Sequence, residues 1–361
     1  MKRMIFHIPI RIDQKMPSGS QIRPMKMLQA FRDLGYSVDV VMGYEKERKQ
    51  QIEAIKDRIK NGEKYHFLYS ESSTEPTLLT GKNHLPLYPF LDFSFFKFCK
   101  NHDISIGLFY RDIYWVFEEY RNSLGWIKSI IATFFYKYDL KKYAQLLDVL
   151  YLPSMKMLEY IPMKFSQQVS ALPPALEENS FPLSPRTGKL RFLYVGGVGS
   201  VYDLRLLVEN IREEEDCELT ICTRKNEWEA NKNSYSRFLS GNIIIEHRSG
   251  ESLNQLFEEV DIAVYFLRPH TLWNFAIGIK LFEYLAHRKP ILAVKGTAVG
   301  NFVEKYDVGW SIEYTAEKLK QTIRTIYENP AELERKINNI QQIIPQHTWK
   351  ERARQVENDL L

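Results

Sequence analysis

An α/β protein of two tandem domains, each a doubly wound parallel sheet, is predicted by three features of this sequence. At 361 residues the chain exceeds what one compact core usually organises, so two domains of ordinary size are expected. Short apolar runs alternate with helical patterns, which implies βαβ units and parallel sheets. One proline-rich, aperiodic stretch, LPPALEENSFPLSPRTGK at 172–189, interrupts the alternation and reads as an interdomain linker. The division that follows is an N-terminal domain over 1–170, a linker over 171–189, a C-terminal domain over 190–344 and a terminal segment over 345–361.

The elements run in order. MIFHI reads as a first strand, SQIRPMKMLQAFRDLG as a helix, VDVVMG as a strand and EKERKQQIEAIKDRIKNG as a charged helix. YHFLYS and ISIGLFY are strands on either side of the aromatic helix FLDFSFFKFCKNH. After the linker the pattern restarts with KLRFLYVGG, DLRLLVENIREE, ELTICT, NIIIEHR, SLNQLFEEV, DIAVYFL, IKLFEYLAHR, PILAVKG and VGWSIEY, then two amphipathic helices near 315–342. QHTWKERARQVENDLL reads as a terminal helix, with Trp349 as its packing anchor. Tandem sheets of this kind set their carboxyl ends across a cleft, where loops and helix N-termini converge on a ligand.

Composition excludes several classes. A hydrophobic fraction of 44% with 26% charged residues is that of a soluble globular chain. No apolar run approaches the roughly 20 residues needed to span a bilayer. MKRMIFHIPIRID is broken by His7, Pro9 and Arg11, so it reads as a strand and not as a signal peptide, and a cytoplasmic location is expected. Cys99, Cys217 and Cys222 lack CxxC spacing, which argues against a disulfide framework or zinc site. Residues 1–170 hold 25 Lys/Arg against 18 Asp/Glu while the remainder holds 24 against 27. A basic N-terminal half fits an anionic partner: a phospholipid surface, a lipid-phosphate acceptor or nucleic acid.

The segment TLWNFAIGIKLFEYLAHRKPILAV, 271–294, carries the most chemistry. It reads as a loop with a glycine, a helix over about 277–287 and a buried strand after Pro290. A helix starting at a sheet's carboxyl edge offers free N–H groups and a positive dipole end to a diphosphate. Lys280, in the first turn, adds a point charge. Glu283, at i+3 on the same face, can accept two hydrogen bonds from a ribose diol. Spacing alone is equally satisfied by two solvated helix residues.

Ala276-Ile277-Gly278-Ile279-Lys280-Leu281-Phe282-Glu283-Tyr284, followed by Arg288-Lys289-Pro290, resembles the donor-binding motif of retaining glycosyltransferases of the GT-B fold, the family 4 type that builds bacterial capsular and other surface polysaccharides. The resemblance covers nearly the whole chain and implies two Rossmann-like domains facing a cleft, with a C-terminal helix crossing back to the N-terminal domain. It implies a nucleoside diphosphate sugar as donor, no cofactor, a glycan or lipid-linked acceptor and an inner-leaflet membrane surface as a further partner. The family pattern has a second glutamate where Phe275 stands, so Asn274, backbone amides near 275–278, Gly278 included, or groups of the N-terminal domain are expected to bind the sugar hydroxyls.

Other positions follow from local pattern and resemblance together. YVGGVGSVYDLRLLVENI, 194–211, sets a glycine-rich turn, Gly197 and Gly199, between strand and helix, where backbone can approach a phosphate. A dinucleotide fingerprint is incomplete there, because Tyr202 occupies the third glycine's place, which disfavours a nicotinamide oxidoreductase. Relatives often carry an Arg after this strand; here Arg224, after ELTICT, is the substitute phosphate or base contact. EHRSGESLNQLFEEVDIAVYF, 246–266, resembles the segment beneath the nucleotide base, which makes the loop from His247 to Gly250 a candidate base site. SGSQIRPMKML, 18–28, resembles the family's glycine loop, with Gly19 at the leaving phosphate and Arg23 as a cation in the cleft. YSESSTEPT and FYRDIYW follow strands, where loops carry function. Relatives have His-Asp in the second; this chain has Arg111-Asp112. Asp112, Glu71 and Arg111 are the catalytic candidates, positioning the acceptor or taking its proton. No Asp-x-Asp motif follows a strand, so no metal is expected and the dipole and cations take its place. FSFFKFCK, 93–100, and GWIKSIIATFFYKYDLKK, 125–142, mix aromatics with lysines as helices lying in a bilayer interface do; no motif for nucleic acid accompanies them. Phe275, Gly197 and Arg111 also keep open a non-catalytic partner or sensor built on the same fold.

Overall fold

A computed structural model describes residues 2–12, 19–177 and 188–361. The chain divides into two units: residues up to Pro174 together with Trp349–Leu361 form one, and Ala175–Thr348 the other.

The first unit holds strands β1 (Arg3–Ile8), β2 (Ser37–Met42), β3 (Phe67–Glu71), β4 (Ser105–Phe109), β5 (Val149–Leu152) and β6 (Gln168–Ala171). They form one parallel sheet in the order β2-β1-β3-β4-β5-β6. Helices α1 (Gly19–Asp33), α2 (Glu45–Lys60), α3 (Leu91–Lys100), α4 (Glu118–Leu124) and α5 (Trp126–Leu146) connect them. Met4, Ile5, Phe6 and Ile8 of β1 are all buried, the unbroken apolar run of a strand covered on both faces. On α2 the buried residues are Arg48, Ile52, Ile55 and Ile59, three or four apart as one helix face requires. The only acid or base of that face, Arg48, is paired with Asp92 of α3 through both carboxylate oxygens at 2.9 Å. His7 of β1 joins them, Nε2 to Asp92 Oδ1 at 2.9 Å. Burial alone would raise the Asp92 pKa, but the His7 hydrogen bond and the Arg48 charge hold it down at about 2.

The aromatic helix α3 departs from the expectation of bilayer contact. Phe93, Phe95, Phe96 and Cys99 are all in the core, and Lys100 is paired with Asp148. Its rings are spaced to fill the interior against β4 and α5, leaving Lys97 and Lys100 as its wet edge.

Chain numbers 171–177 are no loose linker. Leu172, Ala175 and Leu176 are buried, and Leu176 N–H donates to His347 O at 2.9 Å; 178–187 lie outside the described residues.

The second unit holds β7 (Leu190–Val195), β8 (Cys217–Cys222), β9 (Ile243–Glu246), β10 (Ile262–Tyr265), β11 (Ile291–Val294) and β12 (Gly309–Ile312), parallel in the order β12-β11-β10-β7-β8-β9. Its helices are α6 (Arg205–Ile211), α7 (Lys225–Asn231), α8 (Glu251–Glu259), α9 (Ile279–Ala286), α10 (Ala298–Tyr306), α11 (Ala316–Glu328) and α12 (Pro330–Ile343). Neighbours along β7 point to opposite faces: Phe192 enters one apolar cluster with Val264 and Leu319, Leu193 another with Leu281 and Leu285. The sheet grows outward from β7 through β8 and β9, then crosses back to β10. Loops diverge at the carboxyl ends of β7 and β10, the switch point at which such sheets bind ligands.

The last helix, α13 (Trp349–Leu360), belongs to the first unit. Trp349, Ala353, Val356 and Leu360 are buried, Glu357 accepts from Tyr36 Oη at 2.7 Å and from Lys2 at 2.6 Å, and Gln355 Nε2 donates to Ala171 O at 3.0 Å. Gly107 of β4 leaves room for this helix: a Cβ there would lie 3.0 Å from Leu360 Cδ1 and 2.8 Å from the Tyr151 ring.

Candidate active site

At the second unit's switch point, α9 is tied to both diverging strands by one residue. Tyr284 Oη accepts from Val195 N–H at 2.9 Å and lies 3.4 Å from the carbonyls of Val195 and Val264. The end of β7 and the body of β10 are thus fixed to the middle of α9, whose N-terminus opens at the carboxyl edge. Gly278 is the N-cap and supplies no side-chain cap, so the first N–H groups of the helix remain for a ligand. A Cβ at 278 would come within 2.6 Å of Tyr265 Oη, so a larger residue there would have to displace the tip of that ring.

Lys280 and Glu283 follow on one face, Nζ to Oε2 at 2.5 Å, each with 30% of its side chain exposed. With no ligand they satisfy each other. Such a half-exposed pair is worth little, so a diphosphate drawing Lys280 away would free Glu283 at small cost.

The loop after β7 reaches toward the loop after β10. Arg268 N–H donates to Asp203 O at 3.0 Å, Asp203 is itself clasped by Arg205 at 2.6 Å, and the rings of Tyr202 and Trp273 meet at 5.2 Å. Trp273 Nε1 is a buried donor with no hydrogen-bond partner among the described residues, the kind of group that marks a site awaiting a ligand. Gly197 lies beside this ring pair, where a Cβ would be 3.3 Å from Tyr202 and 3.1 Å from Glu227 Oε2. Arg224, largely exposed, pairs with that same Glu227 at 2.9 Å. Gly199 has φ +151°. His247 is exposed and donates Nδ1–H to Thr223 O at 2.8 Å, a bond that anchors the loop after β9 to the end of β8.

In the first unit, a groove runs along the carboxyl edge of β1 and β3, lined among others by Arg11, Gln21, Tyr44, Glu75, Lys82 and Arg111. Behind it lies a charged core. Glu71, fully buried, stands 3.3 Å from Arg23 Nε and 3.4 Å from Arg111 Nη2. The Arg23 guanidinium lies 3.5 Å from the Phe109 ring centroid. Asp112, half-buried, has its pKa pushed up to about 7 by burial, against the pull of the Arg111 charge and the Tyr114 N–H.

Comparison with known proteins places this geometry. The family model described as "Glycosyl transferases group 1" matches residues 176–343. Over those residues the chain is similar to glycosyltransferases of group 1. No curated protein matches the chain. Among solved structures, a glycosyltransferase from Rickettsia africae superposes with TM-score 0.68 at 13% identity, over 99% of this chain and 98% of that one. Sucrose-phosphate synthase from Thermosynechococcus elongatus gives 0.67 at 13% identity, over 99% and 98%. Anabaena HepE, solved with UDP and glucose, gives 0.65 at 12% identity, over 100% and 99%. Identities this low establish the fold, and the fold is GT-B.

The second unit brings together Lys280, Glu283, Gly278, Gly197 and Gly199 around one sheet edge, with Arg224 and His247 on neighbouring loops. Asn274 closes the short helical turn Thr271–Asn274. Phe275 is 2% exposed, and the N–H groups of Phe275 and Ala276 both donate to Leu272 O, so those two amides are spent within the loop instead of facing a sugar. Arg23, expected as a cleft cation, is 4% exposed and acts inside the first unit, because Glu71 and the Phe109 ring hold it there. Glu71 is fully buried between the guanidinium groups of Arg23 and Arg111. Gly19 opens α1, and the loop before it, 13–18, lies outside the described residues. Tyr284, Trp273, Tyr202 and Arg268 are the residues that sequence reasoning missed. Tyr284 sits inside the quoted motif, next to Glu283, and its position was the available signal.

Proposed function

We propose that the protein moves a sugar from a nucleoside diphosphate sugar to a glycan or lipid-linked acceptor, with retention at the anomeric carbon, in bacterial surface polysaccharide synthesis at the cytoplasmic face of a membrane. The observation that carries this reading is the N-terminus of α9 at the switch point, with Lys280 and Glu283 on one exposed face. The dipole and Lys280 stabilise the departing diphosphate, which in such sites is the largest contribution to the rate. Glu283 holds the ribose and Trp273 Nε1 donates to the donor. In a front-face displacement the leaving phosphate takes the acceptor's proton, so the first unit needs to position the acceptor, and Asp112 and Arg111 at the end of β4 do so. UDP is the first nucleotide to test, since it is the one present in the HepE structure.

Two measurements test it. Transfer is expected to be indifferent to EDTA, because helix and lysine hold the diphosphate; activity restored only by Mg²⁺ or Mn²⁺ would count against this. If Asp112 binds the acceptor as a carboxylate, kcat/KM should rise with pH through about 7, following its raised pKa. Asp112→Asn should abolish that inflection, and a variant that retains it would assign the titration elsewhere.

The alternative is a non-catalytic partner or sensor, favoured by the buried Phe275 in place of a sugar-binding carboxylate. Release of free sugar from a panel of nucleotide sugars separates the two.

A further inference from the structure

Helix α5 has two apolar faces and only one is covered. Ser129, Ala132, Tyr136, Asp139, Leu140 and Tyr143 turn inward. Outward stand Ile127, Ile130, Ile131 and Phe134, at helical spacing, with Trp126 at the start; they are exposed by 55%, 60%, 49%, 65% and 74%. Five large apolar side chains on about two turns of solvent-facing helix is far from the scattered exposure of ordinary surfaces.

The exposed charges of α5 itself have one sign. Lys128, Lys137 and Lys141 are exposed on α5, and the helix's single acid, Asp139, is buried, where its Oδ2 accepts from Thr77 N–H at 2.7 Å. The acids nearest in sequence, Glu118 and Glu119, stand on α4. The stripe spans about 10 Å along the helix, and no helix among the described residues is long and apolar enough to cross a membrane. We propose that α5 docks flat on an anionic phospholipid bilayer, with Trp126, Ile127, Ile130, Ile131 and Phe134 inserted at the acyl boundary and the three lysines among the headgroup phosphates.

Charge selects this occupant over a second copy of the chain. A two-fold contact across the same stripe would set lysines of one copy against those of the other, whereas an anionic surface attracts each of them. The docked face also bears on the groove of the first unit. Tyr136 Oη donates to Thr74 O at 2.5 Å and Asp139 holds Thr77, so the inward face of α5 fixes the loop from Ser73 to Thr80 that lines the groove. A headgroup-linked acceptor would meet that loop at the bilayer surface.

The inference deepens the membrane part of the proposed function, and its test reads binding alone. Full-length protein is sedimented with vesicles of phosphatidylcholine containing phosphatidylglycerol and with phosphatidylcholine alone. Binding to the anionic vesicles, released by salt, is expected. The triple variant Ile127→Ser, Ile130→Ser, Phe134→Ser should bind about a hundredfold more weakly. Lys128→Glu, Lys137→Glu, Lys141→Glu should lose about a hundredfold and with it the salt dependence. All six positions are exposed, and an unchanged circular dichroism melt checks that the fold persists. Equal binding by wild type and both variants overturns the proposal, as does a wild-type dimer in solution that the serine variant dissociates. Sugar transfer in solution is measured separately, so a failed vesicle experiment leaves the transferase reading standing, and a failed transfer assay leaves the docking face.

Discussion

Glu283→Gln is expected to weaken nucleoside diphosphate binding by about ten- to a hundredfold, the loss of charge-assisted hydrogen bonds of roughly 1.5 to 3 kcal/mol. The carboxylate accepts from both hydroxyls of a ribose diol; Gln keeps the volume and one acceptor. The fold should survive, because the side chain is partly exposed and its only ion pair among the described residues is to Lys280 at 2.5 Å. The substitution also releases Lys280 from that pair, which strengthens its hold on the phosphates and works against the loss. A 2′,3′-dideoxy nucleotide separates the two effects. It should bind the wild type poorly and be nearly insensitive to the substitution, since the diol is then absent on both sides of the cycle. Calorimetric affinities for the four combinations measure this. Equal losses for the two nucleotides would mean that Glu283 supports the helix without reading the sugar, and the placement of the donor at α9 would fall.

Lys280 and Glu283 were legible because their relation is local: three residues apart on one helix, they share a face whatever the rest of the chain does. The strands were legible for a similar reason, as buried runs such as FLYV and ILAV cannot be satisfied at a surface. What could not be read is pairing between distant elements. Arg23, Glu71 and Arg111 come from α1, the end of β3 and the end of β4, and nothing local distinguishes them from solvated charges. Only the parallel register that sets Glu71 opposite Phe109 brings Arg111 beside the carboxylate. The two aromatic helices show the same limit. α3 and α5 have similar composition, yet the first is covered on its aromatic side and the second leaves half its apolar surface in solvent, a difference decided by which neighbours the fold supplies.

Arg48→Met is expected to destabilise the first unit by about 3 to 5 kcal/mol, because it leaves the Asp92 carboxylate buried without its cation. Arg48 is 1% exposed; besides Asp92 it donates to Gly43 O at 2.7 Å and to Pro9 O at 3.1 Å. Met matches much of its length and brings no charge, so the cost is that of the abandoned carboxylate and the two carbonyls. The effect depends on pH with a definite sign. Asp92 is held at about 2 in the folded chain, below the roughly 3.9 of a free aspartate. The stability this depression contributes is present above pH 4 and is lost as pH falls toward 2. Without Arg48 the Asp92 pKa rises, so the difference between variant and wild type should narrow on acidification. Asp92→Asn added to Arg48→Met should recover a large part of the loss at pH 7, since Asn can still bond His7 and carries no charge to bury. Urea unfolding of the three proteins at pH 7 and pH 4 measures both effects. The groove provides an independent readout, because Pro9 precedes Ile10 and Arg48 Nη2 lies 3.4 Å from Thr80 Oγ1, and Ile10 and Thr80 both line it; acceptor KM should therefore rise in Arg48→Met while nucleotide affinity at α9 stays put. A loss below about 1 kcal/mol at pH 7 would mean that water reaches Asp92 and that the cluster does not organise this edge of the sheet.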